Sequence, residues 1–150
     1  MIKRIVSLVI ALFMLFTLFG CSKEDKNVPK TNDEKLEAYK GIIVEFFDAL
    51  AADDYSKAST YFYTESGSSF TEYCKKAETD NNFKFSDGYE IRRYTDEYYT
   101  DAKDNTGGVV YLYDLHVYFG EARCYSFIQI LDDGEKVGII NFEVGLRDAG

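Results

Sequence analysis

Hydrophobic and polar positions follow three patterns in turn along this chain. An apolar run interrupted only by Ser7 and Thr17 spans Ile5 to Gly20, helical spacing holds from Glu34 to Ala77, and strand-like alternation runs from Tyr89 to Leu146. In the middle part, Leu36, Tyr39, Ile42, Ile43, Phe46, Phe47 and Leu50 recur at three- and four-residue intervals, which predicts a helix over Glu34–Ala51 with one buried stripe. Thr31 and Glu34 stand in capping-box order ahead of it, with Pro29 just before them. Asp53 or Asp54 is placed to cap a shorter second helix whose inner side carries Tyr55, Ala58, Tyr61 and Phe62. Gly67-Ser68 reads as a break, and Ser69 with Glu72 as a second capping box ahead of a third helix carrying Phe70, Tyr73, Cys74 and Ala77.

After Asn81-Asn82 the period falls to two. Tyr89–Tyr99 reads as a strand, Gly107-Gly108 ends the polar turn after it, and Val109–Phe119 is a second strand. Its apolar face is Val109, Tyr111, Tyr113, Leu115, Val117 and Phe119; Asp114 and His116 lie on the other. Gly120-Glu121 suits a two-residue hairpin turn, which pairs Phe119 with Ala122 and Val117 with Cys124 and sends Tyr125 to the face opposite Tyr113. The turn at Asp132-Asp133-Gly134 has two registers. A bulged loop sends Gly138, Ile140, Phe142 and Val144 to the core; a two-residue turn sends Val137, Ile139, Asn141 and Glu143 there instead. The bulged form buries no carboxylate and is the one expected. Helices first and hairpin-linked strands second is an α+β order.

The apolar run carries Lys3 and Arg4 before it and reads as an export signal, being short of the about 20 residues a spanning helix needs. Leu18-Phe19-Gly20-Cys21 resembles the lipobox of bacterial lipoproteins. The resemblance implies cleavage after residue 20 and acylation of Cys21, which would hold the chain on the membrane by lipid. Residues 21–33 then form a polar tether and residues 34–150 a single domain. With Ser22 after the cysteine, an envelope of two membranes would carry the protein on the outer one.

Of the chain's charged groups, 17 are Lys or Arg and 26 are Asp or Glu; without Lys3 and Arg4 the formal charge falls to −11. Such a surface repels nucleic acid and anionic headgroups, which excludes nucleic acid as a partner. One histidine and no close cysteine pair argue against zinc, and Asp101, Asp104 and Asn105 lack the spacing and closing Glu of a calcium loop. No phosphate-binding glycine loop or nucleophile elbow is present, so no metal, cofactor or catalytic residue is expected.

The segments Phe46–Ala58 and Asp133–Phe142 resemble the first helix-turn-helix and the last hairpin of nuclear-transport-factor-2-like lipoproteins, of the cystatin-like superfold. The resemblance implies three helices packed on a strongly curved antiparallel sheet, a cone with a pocket at its wide end. It also implies sheet-to-sheet pairing of two copies, and an activity that ranges over the family from isomerases and dehydratases to non-catalytic binding domains. Tyr39, Tyr111 and Tyr113 are placed to line such a pocket, and Arg93, on the face opposite Arg92, to hold an anion there. Asp114 and His116 read as a solvated pair on the outer face. Cys74 and Cys124, both core-facing in an exported domain, are candidates for a disulfide worth on the order of 3–4 kcal/mol in the chain-entropy model. The expectation is therefore a lipid-anchored, non-catalytic domain that binds a small molecule, glycan or envelope protein. A pocket enzyme and an inhibitor or immunity-type protein are the alternatives.

Overall fold

The computed structural model describes residues 30–64, 67–103 and 107–147. The export signal, Cys21 and most of the tether lie outside the described residues. Helix α1 spans Asn32–Ala51 and α2 Tyr55–Ser59; α3 spans Gly67–Asn81, and a single 3₁₀ turn follows at Phe85–Asp87. Four strands follow: β1 Tyr89–Asp101, β2 Val109–Phe119, β3 Ala122–Asp132 and β4 Val137–Leu146. They form one antiparallel sheet in the order β1-β2-β3-β4. The sheet is not strongly curled. No helix among the described residues is long and apolar enough to cross a membrane.

The local chemistry of the helix starts is as the spacing predicts for α1 and α2. Thr31 caps α1 in a complete capping box, its hydroxyl accepting from the Glu34 N–H while the Glu34 carboxylate accepts from the Thr31 N–H. Asp54 caps α2 by accepting from the Lys57 N–H. The third helix differs: it starts at Gly67, so Ser69 and Glu72 lie inside its first turns rather than at a cap. Its inner positions Phe70, Cys74 and Ala77 are buried as expected, but Tyr73 stands half out of the core and accepts the Val144 N–H.

Ile43, Phe46, Phe47 and Leu50 of α1 are fully buried against the inner face of the sheet. Phe46 meets Phe142 at a centroid distance of 4.9 Å, and Phe47 meets Phe119 at 5.7 Å, both edge to face. The strand faces explain this core: Tyr111, Tyr113, Leu115, Val117 and Phe119 of β2 alternate inward and meet Cys124, Ser126, Ile128 and Ile130 across the hairpin. Phe119 pairs with Ala122, as the two-residue turn requires, and Gly120 takes φ +54° there.

The last hairpin follows both registers, one on each side of a bulge. Asp132 pairs with Val137 across a four-residue loop, and the pairing slips between Gln129 and Ile130. Before the slip Ile139 is buried, as the shorter turn requires; after it Phe142 and Val144 are buried, as the bulged form requires. Ile140 is the extra residue and turns outward, and Glu143 faces solvent throughout. A two-state choice of register was too coarse, because one inserted residue swaps faces mid-strand.

The outer edge of β4 is covered. Residues 61–63 clamp it, with the Tyr63 N–H bonded to the Ile139 carbonyl and the Ile139 N–H to the Tyr61 carbonyl, each at 2.8 Å. Gly138 makes room for this: a Cβ there would sit 2.6 Å from Tyr63 Cα and N. Gly138→Ala is therefore expected to lower the unfolding free energy by about 1–3 kcal/mol in urea titration, the usual cost of overpacking. An unchanged midpoint would show that the clamp is dispensable.

Candidate functional site

The three tyrosines expected to line a pocket form a packed seam between α1 and the sheet. Tyr39 meets Tyr111 edge to face at 5.0 Å. Each phenol donates to a fixed acceptor: Tyr39 to Asp132 Oδ2 at 2.7 Å, Tyr111 to Asn32 Oδ1 at 3.0 Å, and Tyr113 to the Leu36 carbonyl at 2.8 Å. Burial raises all three phenol pKa values, that of Tyr111 to about 12. These rings act as struts, and Arg93 is not among them.

Asp132 is the anchor of that seam. It is 6% exposed and takes Lys35 Nζ on the same oxygen as Tyr39, at 2.7 Å, while its other oxygen accepts the Gly134 N–H at 2.8 Å. Burial pushes its carboxyl pKa up, but the hydrogen bonds from Lys35, Tyr39 and Gly134 together with the Lys35 charge outweigh this, and the pKa lies below the ordinary carboxylate value.

The polar groups that converge do so on the opposite face. Beyond Arg4 the chain has four arginines, Arg92, Arg93, Arg123 and Arg147, and one histidine, His116. All five line a single hollow of about 90 Å³ at the β2–β3 hairpin end of the sheet, with Tyr118 and Cys124. No acidic residue lines it. The strands bring these residues together. A bulge between Ile91 and Arg93 inserts Arg92 and puts both arginines of β1 at the hollow, where strict alternation would have sent them to opposite faces. Pairing then sets Arg93 beside His116 and Tyr118 beside Arg123, and the Arg147 N–H, just past β4, donates to the Arg123 carbonyl at 2.9 Å.

His116 sits at the centre. Arg93 Nε donates to its Nδ1 at 3.2 Å, and Arg147 Nη1 lies 2.5 and 2.6 Å from its two ring nitrogens. A guanidinium has only donors, so these contacts require an unprotonated ring nitrogen. Desolvation and then the charges of Arg147, Arg93 and Arg123 hold the His116 pKa below its ordinary value. Arg92 is drawn aside, 3.1 Å from Glu90 and 5.0 Å over the Tyr118 ring. Asp114 shares the face but pairs across the strands with Asp96; burial, then that like charge, raises its pKa. His116 is therefore held by arginines rather than by the carboxylate two residues before it. A cationic hollow whose charge is only partly offset can hold an anion; it has no paired acid and base.

Cys74 and Cys124, the candidates for a bridge, are both buried and stand as separate thiols in the structure. Each thiol faces the core from its own element, and burial pushes the pKa of Cys74 to about 12 and of Cys124 to about 11, which suppresses the thiolate that oxidation needs. Among the described residues no group of three or more His, Cys, Asp or Glu side chains is placed to hold a metal ion. Comparison with known proteins finds no matching family model, no matching curated sequence and no matching solved structure.

Sequence reasoning missed the hollow because its residues are spread over 56 positions, from Arg92 to Arg147. The one usable signal was the β2–β3 hairpin, whose register already sets Tyr118 opposite Arg123 and His116 opposite Tyr125.

Two outcomes are expected. A depressed carboxyl pKa contributes stability that is full above the unfolded value of about 4 and is lost as pH falls through the folded one. Asp132→Asn should therefore be less stable at neutral pH and lose less on acidification, measured by urea midpoints from pH 7 down to pH 3. Cys74 and Cys124 should both react with a thiol reagent under denaturing, non-reducing conditions and stay silent in the native state. Thiols that remain silent after denaturation would mean a bridge.

Proposed function

We propose that this chain is a lipid-anchored extracytoplasmic protein whose domain, of the nuclear-transport-factor-2-like class, binds its ligand without catalysis and on the outer face of its sheet. The family reading rests on the order of elements and on α1 lying across the inner face, and not on sheet curvature. The anchoring reading rests on the Lys3–Cys21 segment and the polar residues after it.

One observation carries the binding reading. The inner face is filled by tyrosines and phenylalanines whose polar tips are bonded, while the domain's arginines and its histidine stand together outside. Position supports it as well. The tether enters at the start of α1, where Asn32, Lys35 and Leu36 touch Tyr111, Asp132 and Tyr113. The hollow lies at the other end of the sheet, beside the Phe119–Ala122 turn. Along β2 the two are set about 24 Å apart, the rise of the seven residue steps from Tyr111 to Tyr118. An anchored domain would thus present its cationic end away from the membrane.

Cys21→Ala tests the anchor: the variant should leave the membrane pellet for the soluble or secreted fraction, and wild-type protein should carry acyl chains on the Cys21 peptide by mass spectrometry. A variant that still pellets would overturn it.

A further inference from the structure

The strongest unexplained feature is a charge anomaly. In a chain of formal net charge −9, the arginines of the domain are gathered into one hollow with no carboxylate lining it. Like charges repel, so such a cluster lowers stability unless something of opposite charge offsets it. Inside the protein the offset is partial: Glu90 takes Arg92, and neutral His116 takes Arg93 and Arg147. Arg123 adds a third positive charge to the surroundings of His116.

We infer that the hollow between Arg93, His116, Arg123 and Arg147 is a binding site for a tetrahedral oxyanion, a phosphoryl or sulfuryl group, held by guanidinium donors from three separate parts of the fold. This rests on the reading that the outer face is the binding face, and it names the ligand class for that face.

The shape of the donor set selects the ligand. A planar carboxylate is satisfied by the two parallel N–H groups of one arginine fork. Here Arg93 approaches from β1, Arg123 from β3 and Arg147 from the end of β4, with His116 of β2 beneath. Donors on several sides match an ion with oxygens on several sides, and arginine is the side chain best suited to phosphate geometry. The volume of about 90 Å³ is several times what a single water needs and leaves room for one such group. Tyr118 at the wall offers a further hydroxyl donor and holds the Arg92 guanidinium over its ring, in reserve beside the site. In the structure Arg147 rests on the imidazole. An anion drawn between them gives both guanidiniums a charged acceptor and lets the imidazole take a proton and donate as well.

The site lies at the end of the domain remote from the start of α1 and on the outer face, where an oxyanion group can reach it. The source of that group is either the free ion or a phosphoryl group carried on a larger molecule; the chemistry at the hollow is the same.

His116 is the only histidine, so its imidazole proton signal reports on the hollow without assignment. The test uses the full-length protein in a neutral detergent, titrated at low ionic strength with inorganic phosphate and separately with glycerol 3-phosphate. Either ligand should shift the His116 signal in a saturable way and raise its titration midpoint. The groups that face it are Arg93 from β1, Arg123 from β3 and Arg147 after β4, with Asp114 and Asp96 further along the same face and Glu90 on Arg92. All the near ones are cationic, so a bound anion reverses the sign of its surroundings.

Arg93→Gln and Arg123→Gln should each weaken binding by about tenfold, the loss of one charge-assisted hydrogen bond. Lys84→Gln, on a separate surface hollow, should leave it unchanged. Tighter binding of glycerol 3-phosphate would mark an esterified group as the source, and equal binding the free ion. No saturable shift with either ligand, or an equal loss in Lys84→Gln, would overturn the proposal. If His116 responds to a poly-glutamate peptide and to neither phosphate, the oxyanion class is wrong and binding on the outer face stands. Membrane fractionation of Cys21→Ala reads the anchor independently of all of these.

Discussion

Burial of one stripe of α1 against the inner face of the sheet is the constraint on which the rest of this structure depends. Ile43, Phe46, Phe47 and Leu50 have no exposed surface, and the rings they meet belong to α3, β2 and β4 as well as to residues 61–62. A sheet of four strands has two faces to satisfy, and among the described residues the long helix α1 and the shorter α3 pack on the inner one. That face is therefore mostly apolar, with Ser126 and Asp132 buried on hydrogen bonds, and most charged residues of the strands lie elsewhere. Many of the chain's aromatic residues meet at that interface, where large rings fill the space between helix and sheet with few residues. The phenols that come with using tyrosine in a core are resolved by pointing their tips to the margins, onto Asn32, the Leu36 carbonyl and Asp132.

That division of faces is also what gathers the arginines. Each lies on an outward or edge position near one end of the sheet, and antiparallel pairing does the rest. Two of the three register shifts in the sheet decide the outcome. The insertion at Arg92 gives β1 two adjacent cations at the hollow in place of one, and the insertion at Ile140 restores Phe142 and Val144 to the core while keeping Glu143 outside. Without them the same residues would read as scattered surface charge and an inward carboxylate. Bulges re-aim side chains at low cost because they disturb only one pair of the ladder.

Much of the fold was legible because its signals are local. The Thr31–Glu34 capping box, the three-four spacing of α1 and the alternation of β2 each need fewer than 20 residues to recognise, and the Gly120-Glu121 turn sets the central hairpin with no outside help. The parts that were not legible depend on distant pairing. The start of α3 follows from how Phe70 reaches Phe46 and Phe62, which overrides the cap that Ser69 offers. The register of β1 on β2 shifts between Ile91 and Arg93 and again between Tyr94 and Asp96, so the orientation of Arg92 and Arg93 was open to error. The tyrosines were correctly placed on the inner face, but spacing cannot tell a lined cavity from a filled one; only the acceptors at Asn32, Leu36 and Asp132 do. The cysteines shared the same core without meeting, which facing alone could not reveal.

The Lys35–Asp132–Tyr39 cluster has a mechanical consequence. Any pull on the domain through the chain at residue 30 arrives at the first turn of α1, and one turn later meets an ion pair and three phenol hydrogen bonds that join the helix to β2 and the end of β3. The helix runs along the sheet from this point, so the load is taken by these bonds together, in shear, before any core ring has to move. Peeling would break them one at a time. A domain held at this corner would resist drag while its far end stays free to move.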